Sequence, residues 1–434
     1  MNDVRNRLSK NILADGLDPI MDLEKSKGSY IVDERTGDKY LDMFSMYASG
    51  AIGYNHPELV KRKNEILEVA LHKPTLSDVY NKYYADCVEV FNELLFPDYL
   101  KYAFFIEGGS MGVENALKAA FDWKTRKNLA NGKNIEGSMI IHFDHAFHGR
   151  SGYTLSLTNT SDPRKTMYFP KFEWPRIVTP MLSFPIDEHV IDETKQIESY
   201  AVEQIKSSIS EYGDNIAAII IEPIQGEGGD NHFRDDFFKI LRTICDENEM
   251  LLIFDEVQTG VGITGKVWAH QHYSVVPDLM SFGKKTQVCG FLCGDRINEV
   301  ENNVFIESSR INSTFGGNLT DMVRFKIMLE IIEQEKLIEN ARINGDYLLS
   351  ELNNLSEYFP AFVTNPRGKG MFCAFDLPSM QERDDAINAM MNNKLLILPS
   401  GDNSIRFRPH LNISKEEIDL SIDIIKKSIK SILK

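Results

Sequence analysis

The chain has 434 residues, of which 42% are hydrophobic and 26% are charged. These values are ordinary for a folded protein of two or three domains, and they exclude a disordered or fibrous chain. The 48 basic and 64 acidic residues leave a net charge of −16, which disfavours a nucleic-acid-binding surface because such surfaces are cationic.

Targeting and redox features predict a cytoplasmic protein. The five cysteines are odd in number and scattered, so a disulfide framework is not expected and a reducing compartment is. Residues 1–25 carry charge throughout, unlike a secretory signal, and no run of about 18 apolar residues predicts a membrane span.

Short apolar segments alternate with longer amphipathic segments along the chain, which is typical of an α/β fold. Residues 29–42 predict a hairpin that turns at Thr36-Gly37-Asp38. Buried strands are predicted at residues 102–106, 139–143, 216–221, 251–254 and 279–282. The third and fourth are apolar throughout, which indicates parallel strands covered on both faces. Helical patterns occupy residues 113–129, 235–248, 319–335, 338–355 and 414–433.

These elements predict two domains. Residues 76–305 form a large domain around a mostly parallel sheet. Residues 1–75 supply an N-terminal arm and part of a smaller α+β domain, which residues 306–434 complete. The cleft between the domains is the expected site.

The most informative segment is LLIFDEVQTGVG, residues 251–262. A hydrophobic strand ending at Asp255 places a carboxylate at the carboxyl edge of the sheet, where open α/β sheets bind ligands. After the next strand, Lys284 and Lys285 reach the matching edge. A lysine that forms a Schiff base and an acid that keeps a pyridine nitrogen protonated can together serve pyridoxal phosphate. A strand-end cap beside two solvated lysines has the same spacing, so both interpretations stay open.

A glycine-rich turn follows the first buried strand, in FFIEGGSMGVENALKAA. A helix is predicted to begin near Met111, and its free N–H groups and positive end suit a phosphate. Gly109 and Ser110 are the candidate contacts, although an ordinary strand-to-helix turn has the same pattern. Neither the P-loop pattern nor G-x-G-x-x-G is present, which lowers the case for a dinucleotide.

The segment HFDHAFHGRSGY carries three histidines at a spacing of three: His142, His145 and His148. This spacing suggests a metal site only on a helix, and Gly149 and Gly152 break a helix here. We therefore predict no metal. We predict instead a loop in which Phe147 stacks on a planar cofactor and Arg150 faces a substrate carboxylate.

Several segments together resemble the class III aminotransferases of fold type I. The resemblance covers residues 42–411 and is strongest to the L-lysine 6-aminotransferases. It implies a fold type I α/β transferase, pyridoxal phosphate as cofactor, and a homodimer with shared active sites. The segments are EGGSMGVENALKAAFDWK, HAFHGRSGYTLSLTN, FPKFEWPR, EPIQGEGGDNHFR, FDEVQTGVGITG, FGKKTQVCG, SRINSTFGGNLTDMVR and IRFRPHL.

The resemblance also implies a role for each matching cofactor residue. Lys284, directly after Gly283, takes the Schiff-base position, and Asp255 pairs with the pyridine nitrogen. Met111 and Gly112 depart from the commoner form of the phosphate loop. The other implied contacts are Val257 and Phe147 on the two ring faces, Gln258 toward the ring hydroxyl, Gly109 and Ser110 on the phosphate, and Thr314 on the neighbouring subunit's phosphate.

Four substrate contacts follow from the same resemblance. Glu227 is expected to pair with Arg406 when an amine donor is bound and to leave Arg406 free when glutamate is bound. Leaving a buried guanidinium unpaired beside a methylene would cost roughly 3–5 kcal/mol, which a movable carboxylate avoids. Arg150 holds the far carboxylate, and Asn312 adds a polar contact. The alternatives are a purely structural ion pair of Glu227 with Arg406, and a surface position for Arg150.

The implied reaction is a ping-pong transfer of the terminal amino group of L-lysine to 2-oxoglutarate, giving 2-aminoadipate 6-semialdehyde and L-glutamate. The freed Lys284 moves the proton between carbon atoms. Ornithine, 4-aminobutyrate and other ω-amines stay open as donors, since one methylene is worth only about 1–3 kcal/mol. A pyridoxal phosphate mutase, a nicotinamide-dependent dehydrogenase and a non-catalytic binding protein are the alternatives from other classes.

Overall fold

The computed structural model describes residues 4–433, so residues 1–3 and 434 of the predicted terminal regions lie outside the described residues. Within the described chain, no helix combines the length and apolar character of a membrane span. Apart from the four-residue turn Ser45–Ala48, whose φ angles are positive, the α-helices are α1 Val4–Leu8, α2 Pro57–Lys61, α3 Lys63–Ala70, α4 Lys82–Leu95, α5 Gly109–Ala130, α6 Gly152–Leu157, α7 Glu188–Tyr212, α8 Asp235–Glu247, α9 Leu319–Gln334, α10 Leu337–Tyr358, α11 Met380–Asn392 and α12 Lys415–Ile432.

The strands form three sheets within residues 4–433. They are β1 Tyr30–Val32, β2 Lys39–Asp42, β3 Leu100–Ile106, β4 Met139–Phe143, β5 Arg176–Ile177, β6 Ile216–Ile221, β7 Leu251–Asp255, β8 Leu279–Phe282, β9 Cys289–Gly294, β10 Thr364–Lys369, β11 Phe372–Asp376, β12 Leu395–Leu396, β13 Leu398–Ser400 and β14 Ser404–Phe407.

The seven-stranded sheet has the order β3-β9-β8-β7-β6-β4-β5. Strand β9 runs antiparallel to both of its neighbours. Strands β4, β6, β7 and β8 pair in parallel, as the apolar sequences of β6 and β7 predicted for those two strands. Strand β9 was not predicted, because its two glycines weaken the pattern of a strand. Helix α5 begins at Gly109, directly after the turn, rather than near Met111.

The two ends of the chain meet in the smaller sheets. Strands β1 and β2 form the predicted hairpin, and β12 pairs in parallel with β2. A four-stranded sheet, in the order β10-β11-β14-β13, lies in the C-terminal part. The predicted domain limits at residues 75 and 305 stay predictions.

Separate buried apolar clusters pack these sheets against the helices. One buried cluster extends from Leu41 to Ile429, and a second packs α5 against the large sheet through residues such as Val113 and Phe291. Burial on both faces holds β6, β7 and β8 rigidly, so that the polar residues following each strand meet at one edge.

Candidate active site

Strand ends bring an acid and a lysine to one place. Asp255 is the last residue of β7, and its neighbour in β8 is Ser281. Lys284 follows β8 after Gly283 and adopts a left-handed backbone conformation, with φ 55°. Lys285 points elsewhere, because it is buried and donates Nζ to the carbonyl oxygen of Ala48 at 2.8 Å. Of the two lysines, Lys284 is the one that lines the cavity beside Asp255.

A cavity of about 460 Å³ gathers most of the predicted site residues. It is lined by Gly109, Ser110, Met111, Phe147, His148, Gly149, Arg150, Ser151, Glu222, Asp255, Val257, Gln258 and Lys284. The residues predicted to contact the phosphate, the ring and the Schiff base therefore line the same cavity. Arg150 also lines this cavity and is exposed to solvent.

Burial and, next, the cationic Arg406 and Arg408 together lower the pKa of Lys284 to about 8, against the opposing charges of Asp255 and Glu222. A lysine with this pKa exists partly as the neutral amine near neutral pH. Such an amine is both a nucleophile and a base.

Asp255 is held by two hydrogen bonds. His148 Nδ1 donates to Asp255 Oδ2 at 2.8 Å, and the backbone N–H of Val257 donates to Oδ1 at 3.0 Å. The imidazole of His148 is buried. From the sequence, His148 was a candidate only as a metal ligand. The three histidines do not converge, since His142 bonds to Asn159 at 3.0 Å and, within residues 4–433, no group of three or more His, Cys, Asp or Glu residues could hold a metal.

Glu222 was not among the residues predicted for the site. This buried carboxylate follows β6 and accepts the backbone N–H groups of Phe147 at 2.9 Å and Gly226 at 3.0 Å. Burial raises the pKa of Glu222 to about 7, with His148 opposing the rise. Its place after an apolar strand, like that of Asp255, is the sequence pattern that could have identified it.

Hydroxyl groups surround the turn that precedes α5. Ser110 Oγ lies 2.6 Å from Ser151 Oγ and 2.8 Å from Thr154 Oγ1. A Cβ on Gly149, whose φ is +118°, would lie 2.3 Å from Ser110 Oγ. A Cβ on Gly109 would lie 2.8 Å from Val257. The turn thus combines hydroxyl donors, a helix N-terminus and close backbone approach, which suits an oxyanion such as a phosphate.

Two arginines of the β14 region lie beside the cavity. Arg408 makes two hydrogen bonds to Asp230, at 2.8 and 2.5 Å, and donates Nε to Gln258 Oε1 at 3.0 Å. Arg406 is buried, and its Nη1 lies 3.5 Å from Gln258 Oε1. Within the described chain its Nε has no hydrogen-bond partner. Burial, together with the smaller effect of the positive charge of Arg408, lowers the pKa of Arg406 to about 10.

The predicted pairing of Glu227 with Arg406 is not formed in this conformation. The Glu227 carboxylate instead accepts from Thr160 Oγ1 at 2.9 Å and pairs with Lys165. Among the described residues, no ion pair of up to 4.0 Å links Glu227 to Arg406. Neither Thr160 nor Lys165 was singled out from the sequence, because nothing local marks them.

Asn312 and Thr314 lie away from the Lys284 cavity of their own chain. Both are exposed, on a loop before α9. Asn312 lines a different cavity, which includes Tyr80 and Phe104. Their predicted roles therefore depend on a second subunit or stay untested.

Comparison with known proteins decides the family. A family model described as aminotransferase class-III matches residues 13–429. The chain belongs to the class III aminotransferases. This membership confirms the family recognised in the sequence.

Two relatives and one solved structure are similar to this class III aminotransferase over nearly its whole length. The L-lysine-epsilon aminotransferase of Mycobacterium tuberculosis is 49% identical over 430 residues, covering 98% of this chain and 95% of that protein. The enzyme of the same name from Amycolatopsis lactamdurans is 44% identical over 433 residues, covering 99% and 96%. A solved structure of lysine aminotransferase from M. tuberculosis in the internal aldimine form matches with a TM-score of 0.96 and 49% identity, covering 99% of both chains. These matches confirm the predicted fold type I α/β class.

Proposed function

We propose that this enzyme transfers the terminal amino group of L-lysine to 2-oxoglutarate, giving 2-aminoadipate 6-semialdehyde and L-glutamate in lysine catabolism. The observation that carries the chemistry is the cavity shared by Lys284, with its pKa lowered to about 8, and Asp255. The choice of lysine is supported by the names of the full-length relatives.

The residues around the cavity fit pyridoxal phosphate as the cofactor. When bound, this cofactor supplies an aldehyde that condenses with amines and a ring that accepts electrons. The phosphate would be held by Gly109 and Ser110, and the ring by Asp255, Val257 and Phe147, with Lys284 in covalent attachment. Gln258 Oε1 already accepts from Arg408, which leaves the amide N–H groups of Gln258 for the ring hydroxyl.

Lys284 would act as the proton carrier. Once released, its Nζ, partly neutral because of burial and the nearby arginines, would take the proton from the substrate carbon that bears the transferred amino group and would give it to the cofactor carbon on the other side of that nitrogen. His148 would keep Asp255 oriented through the 2.8 Å hydrogen bond. Glu222 would fix the loop of Phe147 through its backbone.

Recognition of two unlike substrates would rest on charged side chains. Arg406 would bind the carboxylate next to the reacting carbon of glutamate, and Glu227 would cover Arg406 for the lysine donor. The unpartnered Nε of Arg406 supports a carboxylate ligand, because buried polar atoms are normally paired. Arg150 would hold the far carboxylate, and Asn312 would add a polar contact.

The enzyme would act as a cytoplasmic homodimer. Thr314 is exposed and is not part of the cavity lining in its own chain, which supports a contact with the phosphate of a second subunit. The cysteines of the described chain are all free, which suits a reducing compartment.

Initial rates with L-lysine, L-ornithine and 4-aminobutyrate, each with 2-oxoglutarate, test the donor. We expect the highest kcat/KM for L-lysine, and no product when the keto acid is omitted. Mass spectrometry of the borohydride-reduced, digested holoenzyme should place the cofactor on Lys284 rather than Lys285. A higher kcat/KM for ornithine or 4-aminobutyrate would overturn the lysine assignment, and product without keto acid would indicate a mutase.

A further inference from the structure

A lysine and a threonine hold the Glu227 carboxylate at a position away from Arg406. Thr160 Oγ1 donates to Glu227 Oε1 at 2.9 Å, and the ammonium of Lys165 pairs with the same oxygen. Lys165 Nζ also lies 3.4 Å from Thr160 Oγ1, so the three groups form one closed contact. The side chains of Lys165 and Glu227 are 32% and 18% exposed, so this contact lies at the rim rather than in the core.

Arg406 has no carboxylate of its own in this arrangement. Its residue is 7% exposed, and its Nε has no partner among residues 4–433. The nearby Asp230 is already engaged by two hydrogen bonds from Arg408. Of the carboxylates whose charge acts on Arg406, Glu227 is therefore the one that could move to it.

We propose that Lys165, assisted by Thr160, is a specificity-determining positioning residue that holds Glu227 away from Arg406, so that Arg406 is free for the α-carboxylate of glutamate and 2-oxoglutarate. This proposal rests on the proposed aminotransferase function. Lys165 and Arg406 compete for the Glu227 carboxylate. The fraction of molecules in each arrangement follows the difference between the two interaction free energies.

The two positions differ in a way that suits exchange. Lys165 is a partly hydrated point charge, so its pair with Glu227 is modest in energy and easily broken. Arg406 is desolvated and gains more from a carboxylate, whether that carboxylate belongs to Glu227 or to the substrate. With a donor that has no carboxylate beside its reacting carbon, Glu227 covers Arg406. With glutamate, the substrate takes Arg406 and Lys165 receives Glu227.

The test compares Lys165→Met with two matched variants. Arg164→Met removes the neighbouring cation, which is exposed and pairs with Asp162 rather than Glu227. Lys165→Arg keeps the charge. For each holoenzyme, the kcat/KM of the L-lysine and L-glutamate half-reactions is measured, and the binding of glutarate, an unreactive dicarboxylate, is titrated by calorimetry.

We expect Lys165→Met to raise the ratio of kcat/KM for L-lysine over L-glutamate about fivefold and to weaken glutarate binding by a similar factor. Arg164→Met should match the wild type. Lys165→Arg should keep a kcat/KM ratio and a glutarate affinity close to those of the wild type, because the positive charge is retained. The proposal is overturned if glutarate binds Lys165→Met as tightly as the wild type, or if both half-reactions fall equally. The glutarate titration does not depend on which amine the enzyme uses, so failure of the lysine assignment and failure of this proposal are distinguishable.

Discussion

His148 Nδ1 donates a hydrogen bond of 2.8 Å to Asp255 Oδ2, and both side chains are buried at the carboxyl edge of the large sheet. The bond fixes the carboxylate that faces the cavity, and it selects the histidine tautomer with the proton on Nδ1. It links the loop after β4 to the end of β7, two segments separated by 107 positions in sequence.

Replacing His148 by Phe should reduce kcat/KM about 10- to 100-fold, since Asp255 would lose the group that orients it. His142→Phe is the matched variant, because His142 is also buried but bonds to Asn159. Steady-state kinetics and the visible spectrum of both holoenzymes measure the effect. Equal losses in the two variants would argue against a special role for His148.

The pKa of Lys284 predicts the pH dependence of cofactor attachment. Only the neutral amine of Lys284 attacks the aldehyde, so the rate of attachment should rise with pH and level off above the pKa of this amine. Burial and the two arginines lower that pKa to about 8, so the rate should level off above about 8 and not above about 10.5. The rate is followed by the visible absorbance that develops after pyridoxal phosphate is added to the apoenzyme.

Arg406→Met should move that midpoint to higher pH, because it removes a cation that opposes protonation of Lys284. Lys101→Met, at an exposed lysine paired with Asp295, should leave the midpoint unchanged. A midpoint near 10.5 in the wild type would contradict the assigned environment of Lys284.

Gly112→Ala should lower the free energy of unfolding by about 1–3 kcal/mol, because the new Cβ would lie 2.7 Å from the carbonyl oxygen of Gly290 in β9. Gly16→Ala is the control, since nothing lies within 4 Å of a Cβ there. Denaturant unfolding of the apoenzyme measures both changes. This contact explains why a residue other than glycine cannot be accommodated at position 112 without displacement of backbone.

Mixing two inactive variants should test the shared site. If Thr314 acts on the other subunit, a Lys284→Ala subunit and a Thr314→Ala subunit together form one intact site per mixed dimer. Random exchange should then restore about a quarter of wild-type activity, since half of the dimers are mixed and each has one intact site. Activity that stays at the level of the parents would place Thr314 in the site of its own chain or outside any site.

Local patterns in the sequence were enough to predict the central strands and their polar ends. Strands β6 and β7 are apolar before their polar ends, Asp255 ends β7 and Lys284 follows β8 after Gly283, so the apolar segments located Asp255 and the lysine pair. The same logic applied to β6 would have found Glu222. The choice of Lys284 over Lys285 came from the family resemblance. The motifs were specific enough to identify the family, because several of them combine a strand end with a turn of defined residue types.

Tertiary packing alone decided which charged groups meet. The contacts of Glu227 with Lys165 and of Arg408 with Asp230 join residues separated by 62 and 178 positions, and no local pattern marks them. The glycines of β9 disfavour a strand conformation. Strand β9 forms nevertheless, because β3 and β8 provide hydrogen-bonding partners on both of its sides. Local order follows from periodic burial along the chain, whereas the partner of a buried charge depends on which distant groups the completed core leaves within reach.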